Sequence, residues 1–127
     1  LYTVDQEGVT ADEKETDIRL RSPSEEHAVI ELKIGDKNRS GRLLRDTIRD
    51  QLVKKYMADP RCRAGCLLIT VASPTKKWGH PDTHDRIDAA GLQEMLSHAA
   101  EEVEAEMGGS IRILVKVLDL RPRLGKE

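Results

Sequence analysis

Phenylalanine is absent from this 127-residue chain, and aromatic residues make up 2% of it: Trp78, Tyr2 and Tyr56. Its core must therefore be aliphatic, and platforms on which single-stranded bases could stack are scarce. Cysteine is nearly absent too. Two residues, Cys62 and Cys66, are too few for a disulfide-dense secreted scaffold, so a cytoplasmic setting is expected. No apolar run approaches the roughly 20 residues a membrane-spanning helix needs, which removes the membrane as a partner of that kind. The N-terminal stretch is acidic and polar, unlike a signal peptide. The chain begins at Leu1 and not at Met, the expectation for a processed chain or for a domain of something longer. A surplus of positive charge is also missing: 21 basic residues face 23 acidic ones, for a net charge of -2. That excludes a strongly basic nucleic-acid coat but leaves room for a local patch.

The residues that are present describe a folded domain. Charged residues make up 35% and hydrophobic ones 38%, too hydrophobic for a wholly disordered chain. The length fits one domain over 1–127, with 1–15 an irregular arm or short edge strand and 121–127 a tail. Residues 16–20 and 28–34 alternate in polarity and read as two half-buried strands. Ala28, Ile30, Leu32 and Ile34 form one face of the second, Val29, Glu31 and Lys33 the other. The turn-rich stretch around Pro23 between them makes a β-hairpin the simple reading.

Ser40 or Asn38 can cap the next element. Over 41–58, Leu44, Ile48, Leu52 and Tyr56 recur every fourth position, an amphipathic helix that Pro60 stops. Residues 65–72 form a continuous apolar run, expected to be a fully buried strand. Residues 73–87 read as a polar loop. Asp88 can cap a second helix over 89–107, with Leu92, Met95, Leu96, Ala99 and Val103 inward and Gly108 and Gly109 ending it. Ile111, Ile113, Val115 and Val117 share one face of a last strand. The order β-β-α-β-α-β predicts an α/β fold, a mixed sheet of four to five strands flanked by two main helices.

Hairpin geometry brings out a candidate site. With the turn centred near Ser24, Ile18 meets Ile30, Leu20 meets Ala28, and Asp17 falls directly opposite Glu31. Directly opposed residues have Cβ atoms about 4.5–5.5 Å apart, so the two carboxylates would repel. A divalent cation resolves the conflict, because Mg²⁺ takes one or two carboxylates plus waters and substrate phosphate. Lys33 lies two residues past Glu31 on the same face, where its ammonium can stabilise charge on a phosphorane-like transition state. The competing reading makes Asp17, Glu31 and Lys33 the solvated face of a hairpin, where ion pairs contribute little.

Asp17 followed by Glu31-Leu32-Lys33 after a hairpin, and then by a helix bearing Gln51, resembles the PD-(D/E)xK nuclease superfamily with its restriction-endonuclease-like fold. The likeness spans about residues 12–120 and is similar in its helix-to-strand segment to a bacterial branch found as domains of larger proteins. The resemblance implies a Mg²⁺-dependent endodeoxyribonuclease, with Mn²⁺ able to substitute. By resemblance, Asp17 and Glu31 would bind the metal with help from the Leu32 carbonyl, Lys33 would be the catalytic cation, and Gln51 would position the attacking water. It also implies roles such as restriction, repair or defence against phage, and partners in other domains of a longer chain or a homo-oligomer. A catalytically inactive nucleic-acid-binding or oligomerisation module of the same fold is the alternative. Two departures stand out. The proline of the family name is Thr16, and the family's acidic N-terminal helix is missing or lies before Leu1. Glu7, Asp12, Glu13 and Glu15 are the acids that could substitute for it.

Two other patterns compete for attention. Cys62, Cys66, His80 and His84 approximate a zinc spacing, but the strand beginning at Cys66 argues instead for a small core residue, with Cys62 a loop thiol. Lys37, Arg39, Arg42 and Arg45 concentrate positive charge at the loop-to-helix junction after the ExK strand, the best candidate for contacting nucleic-acid phosphates. Trp78, beside Lys76 and Lys77, is either a loop anchor or a stacking wedge.

Overall fold

Ser22 builds the turn on which the sheet is founded. Its carbonyl accepts from the Glu25 amide (2.9 Å), its amide donates to the Glu26 carbonyl (2.9 Å), and its hydroxyl accepts from the Glu26 amide (3.2 Å). Glu25 sits at φ 65, the left-handed conformation this tight return demands. The turn joins β2 (Asp17–Arg21) to β3 (His27–Ile34) as an antiparallel pair with Asp17 opposite Glu31, Ile18 opposite Ile30 and Leu20 opposite Ala28. A computed structural model describes residues 3–6, 17–37, 39–73 and 75–120, with backbone only at 3–6, 17, 55 and 56. Thr16, Asn38 and the acids at 7, 12, 13 and 15 lie outside the described residues, as do the Tyr56 side chain and the tail at 121–127.

The short edge strand expected in the N-terminal arm is β1 (Thr3–Gln6), antiparallel to β2. After β3, Ser40 accepts a hydrogen bond from the Leu43 amide (3.0 Å) and caps α1 (Gly41–Thr47). The helix does not stay α-helical to its end. It continues without a break as a π-wound segment over Ile48–Tyr56, where the Met57 amide reaches back five residues to the Leu52 carbonyl (2.9 Å). Leu44, Ile48 and Leu52 nevertheless share one buried face, because residues four apart stay aligned in either winding.

Next come β4 (Cys62–Val71), a two-stranded hairpin of β5 (Trp78–Gly79) and β6 (Arg86–Ile87), α2 (Ala89–Glu106) and β7 (Arg112–Asp119). The hairpin lies in the segment read from sequence as a loop. Two-residue strands are too short to show alternation. Asp88 caps α2 by accepting from the Gly91 amide (2.9 Å), and Gly108 and Gly109, at φ 68 and 74, end it. The main sheet runs β1-β2-β3-β4-β7, antiparallel on the β1 side and parallel from β3 through β7. It is a mixed sheet in an α/β fold.

Two successive crossovers step the same way across the sheet, and connections of this kind are right-handed, so both helices pack on one face. That face is the core: Val29, Leu67, Ile69, Val71, Ile113, Val115 and Val117 from the strands meet Leu44, Ile48, Leu52, Leu92, Leu96 and Val103 from the helices. At Gly65 a Cβ would meet Met57 Sδ at 3.0 Å and Leu52 Cδ2 at 3.4 Å, so the missing side chain lets the π-wound segment close on the sheet. Arg49 then ties that segment to the end of α2 through Glu106 (2.7 Å).

The other face has no helix among the described elements. This corrects the reading of 65–72 as a fully buried strand: Leu67, Ile69 and Val71 are buried, but Cys66, Leu68 and Thr70 are only half-buried. Leu114 and Leu118 on β7 are 65% and 39% exposed. The cysteine assignments also reverse. Cys62 opens β4 inside the core, and Cys66 is the half-buried one on the open face.

The β7 edge is closed from above. Gln93 on α2 donates to the Val115 carbonyl (2.8 Å) and accepts from the Val117 amide (2.7 Å), standing in for the peptide of a missing strand. Glu104 takes the Ile113 amide (2.6 Å). Backbone groups that would otherwise recruit another strand are thereby satisfied.

Candidate functional site

Val29, Glu31 and Lys33 leave β3 on the side the helices cover. Glu31 neighbours Leu67 across the parallel pair and Lys33 neighbours Ile69, both fully buried. The Glu31 carboxylate is accordingly 5% exposed, and the Lys33 Nζ lies 3.2 Å from its Oε2 with a side chain 12% exposed. The solvated-face reading therefore fails for Glu31 and Lys33, which sit on the covered side of the sheet. Asp17 is opposed to Glu31 in the backbone register. Leu32, between the two charged residues, sends its half-buried side chain to the open face.

Gln51 lies half-buried on the π-wound segment, which packs on β3 and β4. Among the described residues no hydrogen bond joins it to Glu31 or Lys33. Its segment is the irregular one, and π-winding is frequent at functional sites. Past Lys33 the strand end is fixed by Asp36, whose carboxylate accepts from the amides of Ala72 (2.9 Å) and Ser73 (2.8 Å).

A hard cation fits this donor set in chemistry: two opposed carboxylates, one of them buried, with a cation beside it. Among the described residues no three His, Cys, Asp or Glu side chains form a metal cluster; Asp17 and Glu31 supply two carboxylates, the first placed by backbone register. The zinc-like residues are dispersed, with Cys62 in the core, Cys66 on the open face, and His80 and His84 in the β5–β6 turn. Burial pushes both thiols above the ordinary cysteine range, so neither is a ready nucleophile.

The four basic residues of the junction have separate fates. Arg39 donates to the Ile34 carbonyl (3.0 Å), and Arg45 pairs with Asp82 (3.3 Å). Lys37 has its amide on the Ile34 carbonyl (3.3 Å). Arg42 is exposed and borders a cleft with the hairpin. Trp78 is the anchor and not the wedge. It is 1% exposed, with its ring edge against Gly35, where a Cβ would approach it to 3.3 Å. A Cβ on Gly41 would likewise run into the Gly79 carbonyl, so two glycines seat the hairpin at the junction of β3 and α1.

A separate cleft of about 560 Å³ lies between α1, the hairpin and α2, lined by Arg45, His80, Asp82, Glu94, His98 and Glu102 among others. It shares no residue with the Asp17, Glu31 and Lys33 set. Sequence reasoning weighed His80 and His84 only as part of a zinc-like spacing and missed Arg86, which joins them in the hairpin. Their one visible signal, two histidines four apart, is also the spacing of a metal site.

Comparison with protein-family models, curated proteins and solved structures gives no match for this chain.

Proposed function

We propose that the chain is a Mg²⁺-dependent nuclease of restriction-endonuclease-like fold that hydrolyses phosphodiester bonds of DNA, acting as an effector domain of a larger bacterial protein. The observation that carries this reading is Glu31: a buried carboxylate, opposed in register by Asp17 and 3.2 Å from the Lys33 ammonium, on the covered face of a sheet with an aliphatic face to spare. Burying ions costs several kcal/mol each, so a sequence selected for stability alone would not place them there.

In the proposed reaction, Asp17 and Glu31, with the Leu32 carbonyl, would hold the metal, which when bound would supply Lewis acidity and a more acidic water. Lys33 stabilises the negative charge that develops on the phosphoryl oxygens. Gln51 would orient the attacking water, and Lys37, Arg39, Arg42 and Arg45 would contact the substrate backbone.

A second reading, a binding or oligomerisation module without catalysis, is favoured by the open sheet face with its exposed Leu114 and Leu118. Incubation with plasmid, linear duplex, single-stranded DNA and RNA, in Mg²⁺, Mn²⁺ or EDTA, separates the two. Cleavage that requires metal and falls at least about 100-fold in Lys33→Ala and Glu31→Ala is the expected outcome. Folded protein that cleaves none of these substrates selects the module.

A further inference from the structure

Ser40, Arg42, His80, His84 and Arg86 line a shallow cleft of about 300 Å³ where the β5–β6 hairpin meets the start of α1. No carboxylate lines it. Of the acids around it, Asp82 pairs with Arg45 and Asp88 caps α2, while the exposed Asp85 is not among the lining residues. Among the described residues neither Arg42 nor Arg86 makes an ion pair, so two permanent cations share one concavity with their charge uncompensated.

The neutral groups point to the same chemistry. His80 Nδ1 accepts from the amides of Asp82 (3.1 Å) and Thr83 (3.4 Å), which fixes the ring tautomer and leaves Nε2–H as its free donor. The Ser40 hydroxyl oxygen accepts from the Leu43 amide (3.0 Å), leaving its proton to donate. The cleft thus offers donors and cations and no competing acceptor charge. A water takes about 30 Å³ of liquid, so a phosphate enters with room to spare.

We infer that this cleft is a phosphate-binding site that holds the backbone of the nucleic acid beyond the scissile bond. The inference rests on the nuclease reading for its choice of a phosphodiester over a free anion. The hairpin's position supports it: Trp78 lies against Gly35, the residue after the last of β3, and its neighbour Gly79 lines the cleft, so the cleft sits near the end of the strand that carries Lys33. Guanidinium groups grip phosphate oxygens bidentately and release counterions on binding. A chain with net charge -2 would concentrate its grip in such a patch.

The test is fluorescence anisotropy of labelled single- and double-stranded DNA oligonucleotides in EDTA, across a salt series, with inorganic phosphate titrated in parallel by calorimetry. Arg42→Ala, Arg86→Ala and the double variant run beside Arg63→Ala, an exposed arginine at the opposite end of β4. Thermal melts confirm that each remains folded. The double variant should weaken duplex binding about tenfold or more and lower the salt slope by about two, with Arg63→Ala moving neither. Wild-type affinity and slope in the double variant overturn the inference. So does phosphate binding by a protein that ignores oligonucleotides, which would make the ligand a small anion.

Lys33→Ala separates this inference from the nuclease reading. If it binds DNA normally and wild type with Mg²⁺ cleaves nothing, the nuclease reading falls while an Arg42- and Arg86-dependent cleft stands. Cleavage abolished by Lys33→Ala, with binding indifferent to Arg42 and Arg86, is the reverse.

Discussion

Ile30, Leu32 and Ile34 leave one face of β3; Val29, Glu31 and Lys33 leave the other. The aliphatic set is half-buried on the open side of the sheet, while the set carrying two charges lies beneath the helices. Burial of apolar surface contributes about 25 cal/mol per Å², and desolvating a charge costs several kcal/mol, so stability alone would favour the opposite arrangement. On β4 and β7 the covered face is the aliphatic one, with Leu67, Ile69, Ile113, Val115 and Val117. The reversal extends to β2, where Arg19 is opposed to Val29 and Ile18 to Ile30, and is absent from β4 and β7. Departures from the folding pattern of this kind are expected at functional or strained places, and here the departure falls on the hairpin that carries the proposed centre.

The largest expected difference between the two faces comes from adjacent leucines of β4. Leu67→Ala, at a fully buried position, should cost about 2–5 kcal/mol by urea denaturation, and Leu68→Ala, on the open face, well under half of that. Equal losses would mean that the open face is covered as closely as the other.

A sharper probe replaces the anomaly itself. Glu31→Leu with Lys33→Met should leave stability unchanged or raise it by about 1–4 kcal/mol, as apolar replacement of buried ion pairs often does, while abolishing metal-dependent cleavage. A marked loss of stability would make the pair a structural element and remove the observation that carries the nuclease reading.

The smallest effect belongs to a carboxylate on neither face. Asp59 is held by Arg61 at 2.9 Å, which lowers its carboxyl from 3.8 to about 2. A depressed acid stabilises the fold above its unfolded value and loses that contribution as pH falls through its folded one. Asp59→Asn should therefore narrow its small stability gap to wild type as pH falls from 3.8 toward 2, followed by thermal melts, and the carboxyl titration itself is readable by NMR. Because the pair is exposed, its effect should be far smaller than that of either buried change.

Much of the frame was legible because it is local. The hairpin register follows from where the turn is centred, so Asp17 opposite Glu31 could be read from alternation alone. Helix α2, its Asp88 cap and its glycine stop follow from spacing and backbone conformation. The β5–β6 hairpin was not legible, because Trp78–Gly79 and Arg86–Ile87 are each too short to show a period. The basic cleft was hidden for the same reason. Arg42 and Arg86 are 44 positions apart in sequence and meet only because Gly35 and Gly41 let the hairpin seat against β3 and α1.

By itself the sequence determined an aliphatic α/β domain, most of its elements, and a hairpin that opposes two carboxylates beside a lysine. Alternation gives two faces to each strand but does not say which one the helices will cover. Only the tertiary structure decided that, through successive crossovers that step one way across the sheet and carry both helices to the face of Glu31. The burial of that carboxylate is therefore a property of topology, set by chain handedness and strand order rather than by any residue near it.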